Sequence, residues 1–340
     1  MRLLQAMAGA RHGGAETFFV RLALSLQRAG EEQRVLIRRD AERAATLRRG
    51  GIEPLELRFG GFFDLATRRQ FRRAIAEFRP RVVLTWMNRA TWLCPRGDFV
   101  HVARLGGYYD LKYYRRCDHL IGNTRDIVAY LLRQGWPQAR AHYLPNFVTA
   151  QKSVPVARAS LDTPADAPLA LALGRLHVNK GFDVLLDALA RVPQLHLWLA
   201  GEGSLRAPLE QQAATLGISG RVRFLGWRED TAALLAAADF LVCPSRHEPL
   251  GNVVIEAWAA GTPVVATASD GPAALIADDE TGLLVPVEDA VALASAMRRL
   301  AEDAVLRTRL AAAGRAAYEA EFSEARVVGL YRDFFARVAR

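Results

Sequence analysis

Residues 169–190 read LALALGRLHVNKGFDVLLDALA. An apolar run of strand length, 169–173, passes directly into a glycine-bounded loop, 174–181. A stretch with helical spacing, 182–190, follows. Strand, short loop and helix in this order make one βα unit of a parallel sheet. The loop carries Arg175 and Lys180, so two cations fall just past the carboxyl end of a strand, where open α/β sheets bind ligands. Arg offers a planar fork for phosphate oxygens and Lys a compact point charge. Gly181 frees the turn into the helix. Lysine occurs only at 112, 152 and 180 in a chain rich in arginine, which singles out Lys180.

The same alternation extends in both directions. Before the quoted unit, strands are expected at 2–7, 33–37, 53–57, 81–85, 99–104, 118–121 and 141–144, with helices at 14–29, 64–78 and 124–134. After it, strands are expected at 195–200, 221–225, 239–243, 263–266 and 282–285. Helices are expected there at 203–216, 229–236, 251–260 and 288–313. Between the halves, 145–168 holds four prolines and little apolar periodicity, and reads as a connector. The fold class is α/β, with two Rossmann-like doubly wound domains facing across a cleft. The divisions are 1–150, a linker at 151–167, 168–322, and a terminal segment at 323–340. That segment carries Val327, Val328, Leu330, Tyr331, Phe334, Phe335 and Val338 at helical spacing, a stripe that calls for a surface to pack on.

A second loop follows the apolar run FLVC. It reads PSRHEPLGNVVIEA over 244–257. Glu248 falls in the loop and Glu256 inside the helix that starts near Gly251. The free amides of Gly251, Asn252 and Val253 at that helix start favour a phosphate. Glu256 lies within VVIEAWAAG, where a carboxylate is costly without a partner such as a pair of ribose hydroxyls. A third loop, Gly13-Gly14-Ala15-Glu16 after the first strand, allows close approach of backbone to a ligand. It is not a G-x-G-x-x-G fingerprint.

The totals bound the function. The chain has 340 residues, 51% hydrophobic and 24% charged, a globular composition with room for two cores. No apolar run is long enough to cross a bilayer, and the apolar stretch near the N-terminus is too short for a secretory signal. A cytoplasmic location is therefore expected. Cys94, Cys117 and Cys243 form no Cys-x-x-Cys pair and the seven histidines show no ligand spacing, so no metal site is expected. The net charge of +9 has two readings: an arginine-biased composition, or an acidic partner such as a nucleoside diphosphate, a phosphorylated acceptor or an anionic membrane. Arg68, Arg69, Arg72 and Arg73 beside Phe71 and Ile75, with the loop RLGGYYDLKYYRR at 104–116, read either as a solvated surface or as a basic-aromatic face for lipid headgroups. No RNP, KH or helix-turn-helix signature supports nucleic-acid binding.

Taken together and in this order, the three loops and DDETGLLVP at 278–286 resemble the family 4 retaining glycosyltransferases of GT-B architecture. The most specific part is Glu248-x7-Glu256. The resemblance implies transfer of a sugar from a nucleoside-diphosphate sugar to the hydroxyl of a glycan or lipid-linked acceptor, without cofactor or metal. Lipopolysaccharide core or capsule synthesis, with association at the inner membrane, is the implied setting. Arg175 and Lys180 would hold the diphosphate and carry catalysis. Glu256 would bind the ribose, and Glu248 would contact the transferring sugar. Leu250, Gly251, Asn252 and Val253 would meet the donor phosphates, and Gly14 would let the first loop lie against them. The backbone near Arg223 to Leu225 would lie close to the base. The helix after Ser323 would brace the first domain.

Three positions depart from the family pattern. Arg104 stands where a histidine is common near the transferred sugar, with His101 just before it. Asn146-Phe147 replaces Asn-Gly, and Pro-Leu replaces Gly-Phe after Glu248. The first places Arg104 among the catalytic candidates. The residues alone leave Glu248 open as a nucleophile. They also leave open a 2-epimerase of the same fold and a non-catalytic nucleotide-sugar-binding protein.

Overall fold

The computed structural model describes residues 1–340 apart from His12, Phe62, Phe63, Lys152 and Arg340. The chain forms two compact units, Met1–Phe147 with Glu324–Arg340, and Val148–Ser323.

The first unit contains β1 (Arg2–Met7), β2 (Glu32–Arg38), β3 (Leu55–Leu57), β4 (Val82–Trp86), β5 (Val100–Leu105), β6 (His119–Gly122) and β7 (Ala141–Tyr143). They pair in the order β3-β2-β1-β4-β5-β6-β7, and every pairing is parallel. Strands buried on both faces need unbroken apolar sequence, and β4 is buried throughout. One face is covered by the helix Gly14–Arg28 and by the terminal helix Glu324–Val338. Phe18, Phe19 and Leu22 there share a core with Val327, Tyr331, Phe334 and Phe335. The other face is closed by Phe71 of the helix Leu65–Phe78 and by Ala90 and Leu93 of the helix Met87–Leu93.

The second unit contains β8 (Leu169–Leu173), β9 (His196–Ala200), β10 (Val222–Gly226), β11 (Phe240–Cys243), β12 (Val264–Thr267) and β13 (Leu283–Val285). Their order is β10-β9-β8-β11-β12-β13, again all parallel. The helices Phe182–Ala190 and Ala290–Glu302 cover one face, and the helix Asn252–Ala260 covers the other.

Each sheet therefore has one point where the strand order reverses, at β1/β4 and at β8/β11. The loops leaving such neighbours part to opposite sides and open a crevice at the carboxyl edge. The loops 174–181 and 244–251 leave β8 and β11, so the two most informative stretches of sequence flank the reversal of the second sheet.

Some elements differ from the sequence reading. The helix expected over 288–313 is two helices, Ala290–Glu302 and Ala304–Ala317. Asp303 leaves helical dihedrals and caps the second helix by accepting from the Leu306 amide at 2.8 Å, a preferred N-cap role for Asp. The helices Ala41–Arg49, Met87–Leu93 and Asp270–Leu275 are too short or too polar to carry a visible stripe. The proline-rich stretch is tied into the second unit. Arg158 donates to the carbonyls of Ala167 and Ala237 and pairs with Asp239 at 3.2 Å, and Trp198 Nε1 donates to Thr163 Oγ1.

Candidate active site

The site in the second unit is built on backbone contact between its two loops. A Cβ at Gly181, whose φ is +62°, would collide with the carbonyl oxygen of Pro244. Only glycine combines that left-handed conformation with so close an approach. The Asn179 carbonyl accepts from the amides of Arg246, at 2.8 Å, and His247, at 3.2 Å. Loop 174–181 is thus held against loop 244–251 before any side chain is considered.

Arg246 then locks the pair. It forks onto Asp183 with bonds of 2.7 and 2.6 Å, donates to the Val178 carbonyl at 2.8 Å, and bonds Glu288 through Nε and a second nitrogen. The guanidinium holds the Asp183 carboxyl below the usual carboxylate range, and the two carboxylates push the arginine further up. Such bidentate charge-assisted bonds fix geometry as well as charge. The floor is set by Gly271, whose amide donates to the Glu248 carbonyl at 2.7 Å and whose Cβ, if present, would strike that carbonyl. Sequence reasoning quoted Arg246 without giving it a role and passed over Gly271. The only signal at Gly271 was a Gly-Pro pair, separated from the strand at 263–266 by residues 267–270.

On this frame Lys180 and Glu248 form an ion pair in which the lysine side chain is 23% exposed and the glutamate 12%. Arg175 is exposed and makes no ion pair among the described residues. The helix Asn252–Ala260 starts at Gly251, φ +66°, with no side chain capping it. Its first amides are therefore available to an anion, as such amides are at any uncapped helix start. Glu256 sits half-buried on that helix and is already engaged within the protein. Leu250 and Val253 are half-buried beside it. Burial, reinforced by the nearby Glu248, pushes the Cys243 thiol up to about 11, so it stays a neutral thiol under the site.

Two expected site residues have other work. The Arg223 guanidinium is spent on the carbonyls of Leu161, Asp162, Gly220 and Val222, where it fastens the turn at 158–163 to β10. The side chain is a structural brace, and the expectation that the backbone near Arg223 to Leu225 lies close to the base concerns other atoms of the strand. Arg104 is 2% exposed. Its Nε donates to the Tyr331 hydroxyl at 2.8 Å, a second nitrogen bonds Asn146 Oδ1, and its Cζ lies 4.6 Å from the ring centres of both Phe18 and Trp86. A cation so enclosed ties β5 to the terminal helix, and its expected acceptor-side role gives way to a structural one. His101 is also buried. It bonds Thr85 Oγ1 at 3.0 Å, and burial lowers its pKa to about 4, so it is a neutral core histidine.

Gly14 opens the helix Gly14–Arg28 with nothing near a would-be Cβ. The ordered feature of its loop is Glu16, 7% exposed, whose Oε1 accepts from the Ala10 amide at 2.8 Å. Gly9 and Gly13 approach this carboxylate so closely that a Cβ on either would strike it.

Comparison with known proteins agrees with the chemistry of these loops. Residues 12–152 match the model of Glycosyltransferase Family 4, and residues 167–303 match that of Glycosyl transferases group 1. The lipopolysaccharide core biosynthesis glycosyltransferase LpsE of Rhizobium meliloti (strain 1021) is 41% identical over 336 residues, covering 96% of each chain. A glycosyltransferase from Rickettsia africae ESF-5 superposes with a TM-score of 0.89 at 17% identity, over 100% of this chain and 98% of that one. Anabaena Alr3699/HepE in complex with UDP gives 0.86 at 20% identity, over 99% and 100%. The sequence matches extend through both units, and the structural neighbours fix the GT-B fold. The chain belongs to the family 4, group 1 glycosyltransferases and is itself a glycosyltransferase.

Proposed function

We propose that the chain transfers a sugar from a UDP-sugar to an acceptor hydroxyl in lipopolysaccharide core assembly, with retention of anomeric configuration and without a metal. The Lys180–Glu248 pair beside the unpaired Arg175 carries the reading. Within the protein each charge neutralises the other. A donor diphosphate offers Lys180 a stronger anion and frees Glu248 to accept from the hydroxyls of the sugar. Arg175 and the amides at the start of the helix Asn252–Ala260 complete a cationic cradle. Charge that builds on the departing diphosphate is then met by groups already in place, which is where preorganised electrostatics contribute most. Two protein cations supply what a bound divalent ion would otherwise provide. The deprotonating group is the leaving phosphate itself, with attack on the face it vacates.

UDP as the nucleotide rests on the UDP-bound structural neighbour, and the lipopolysaccharide setting on the relative from Rhizobium meliloti. Calorimetry with UDP, GDP and ADP tests the first. UDP is expected to bind tightest, and equal heats would remove the preference. Transfer to core saccharide in the presence of EDTA should proceed, with the product anomer read by NMR. Inversion, or loss of activity with the chelator, would overturn those parts.

The helix Leu65–Phe78 supports contact with an anionic membrane in the cytoplasmic compartment. Leu65 is 74% exposed, and Arg69 and Arg72 are exposed beside it. Arg68 lies 4.7 Å over the Trp92 ring and Arg73 pairs with Glu77, which commits those two to the protein. Sedimentation with phosphatidylglycerol vesicles should fall on replacing Arg69 and Arg72 by Ala. Unchanged sedimentation would rule the face out.

A further inference from the structure

In the first unit, a cavity of about 490 Å³ opens at the carboxyl ends of β1 and β2. Four arginines, Arg11, Arg38, Arg39 and Arg43, are among the residues that line it, against two acidic residues, Asp40 and Glu42. The excess is two positive charges. Asp40 is already occupied, since its Oδ1 caps the helix Ala41–Arg49 by accepting from the Arg43 amide at 3.0 Å. Arg43 is occupied as well. It is 6% exposed and one terminal nitrogen donates to the carbonyls of Ala10, at 2.6 Å, and Arg11, at 3.2 Å. That bond and the Glu16–Ala10 bond hold the loop after β1 from both sides.

The remaining three arginines differ. Arg11, Arg38 and Arg39 are exposed, and their side chains make no hydrogen bond or ion pair among the described residues. Other arginines of this chain are spent on carbonyls or carboxylates, as Arg158, Arg223, Arg246 and Arg309 are; here three that make no such bond among the described residues line a single cavity. Three unsatisfied forks around one cavity repel each other unless an anion joins them. A phosphate monoester matches the cavity in charge and in hydrogen-bonding kind. It carries close to two negative charges near neutral pH, and its three oxygens accept from arginine forks. A neutral saccharide would leave the forks unmatched.

We propose that this cavity is a phosphate-monoester site through which the first unit takes hold of a phosphorylated sugar on the acceptor. The proposal deepens the glycosyl-transfer reading above and rests on it for the word acceptor. The phosphate is assigned to a saccharide; a lipid headgroup offers the same oxygens as a phosphodiester with one charge less, and the test separates the two.

The probe is glucose 6-phosphate, titrated into the full chain and followed by calorimetry, with glucose as the control and UDP titrated separately. Glucose 6-phosphate should bind and glucose should not. The double variant Arg38→Gln, Arg39→Gln should weaken glucose 6-phosphate at least tenfold and leave UDP within twofold. Both side chains are exposed and unpartnered, so the fold should tolerate the change, and an unaltered UDP titration reports it. Equal binding of glucose 6-phosphate by the variant would overturn the proposal, as would competition between glucose 6-phosphate and UDP for one site. A third arm uses phosphatidylglycerol vesicles. Retention on them that the double variant loses but glucose 6-phosphate does not displace would assign the arginines to headgroups and overturn the proposal. Failure of UDP to bind at all would count against the donor reading alone, because the sugar-phosphate arm is measured without nucleotide.

Discussion

The two sheets reverse strand order in the same way but furnish their reversals differently. In the second unit the loops after β8 and β11 are joined by backbone, through Gly181 against Pro244 and Asn179 to Arg246, and clamped by Arg246 across Asp183 and Glu288. Glycine occupies the left-handed positions there, at Gly181 and Gly251. In the first unit the residue following β4 is Met87, held at φ +59°, a strained conformation for a side chain of that size. Its carboxyl edge keeps three arginines without partners among the described residues. On the proposed reading, one unit is preorganised for a fixed group, a diphosphate. The other keeps charge in reserve and closes its own cation, Arg104, inside its core. Two residues expected from sequence to serve catalysis, Lys180 and Arg104, fall on opposite sides of that division.

The sharpest way to break the comparison is to remove each of those cations. Lys180→Ala should lower turnover by roughly 10²–10³, the scale of a lost transition-state donor, with little change in the urea midpoint. A turnover within threefold of the parent would place the diphosphate elsewhere. Arg104→Met should do the reverse. It leaves the Tyr331 hydroxyl and Asn146 without their buried partner and removes two cation–aromatic contacts. The cost should be about 3 kcal/mol of unfolding free energy, measured by urea titration. A fully stable variant with lost activity would restore Arg104 to the reaction.

A smaller effect sharpens the account of the loops. Gly181→Ala forces a left-handed residue against a carbonyl, and should cost at least about 1–2 kcal/mol while raising KM for the donor more than it lowers kcat. Unchanged stability would mean that the loops do not need their contact.

The smallest effect is on pH. Burial lowers the pKa of His101 and of His142 to about 4, and lowers that of His119, which faces His142 at 3.0 Å across from Phe334, with Asp118, Arg140 and Arg337 nearby. These imidazoles are neutral when folded. Their stabilisation is complete above the ordinary histidine value of about 6.5, and is lost as pH falls from there towards about 4, because the unfolded chain then binds more protons. Stability should decline over that window, and His142→Phe should flatten the decline. A profile level from pH 7 to 4.5 would show that the histidines protonate freely while folded.

Sequence patterning disclosed the architecture because parallel strands buried on both faces must be apolar throughout, and each candidate loop sat directly behind one. The quoted 169–190 matches the observed strand and helix to the residue. Short helices such as Ala41–Arg49 stayed invisible because AERAATLRR buries little more than Ala44 and Leu47. The members of the site that could be read are those whose type is costly where they stand, Lys180, Glu248 and Glu256. Arg246 and Gly271 could not be read, because their value lies in which backbone they meet. Arg104 was misjudged because a charge in the sequence looks the same whether it faces a ligand or is enclosed by a hydroxyl, an amide and two aromatic rings.

The mutual pairing of Lys180 and Glu248 has a bearing on what the enzyme lets go. On the proposed reading, an intact donor compensates both members when it separates them. Spent UDP compensates only the lysine and strands the carboxylate, and orthophosphate does no better. Closing the pair again favours expulsion, so the enzyme should suffer only mild product inhibition at its donor site.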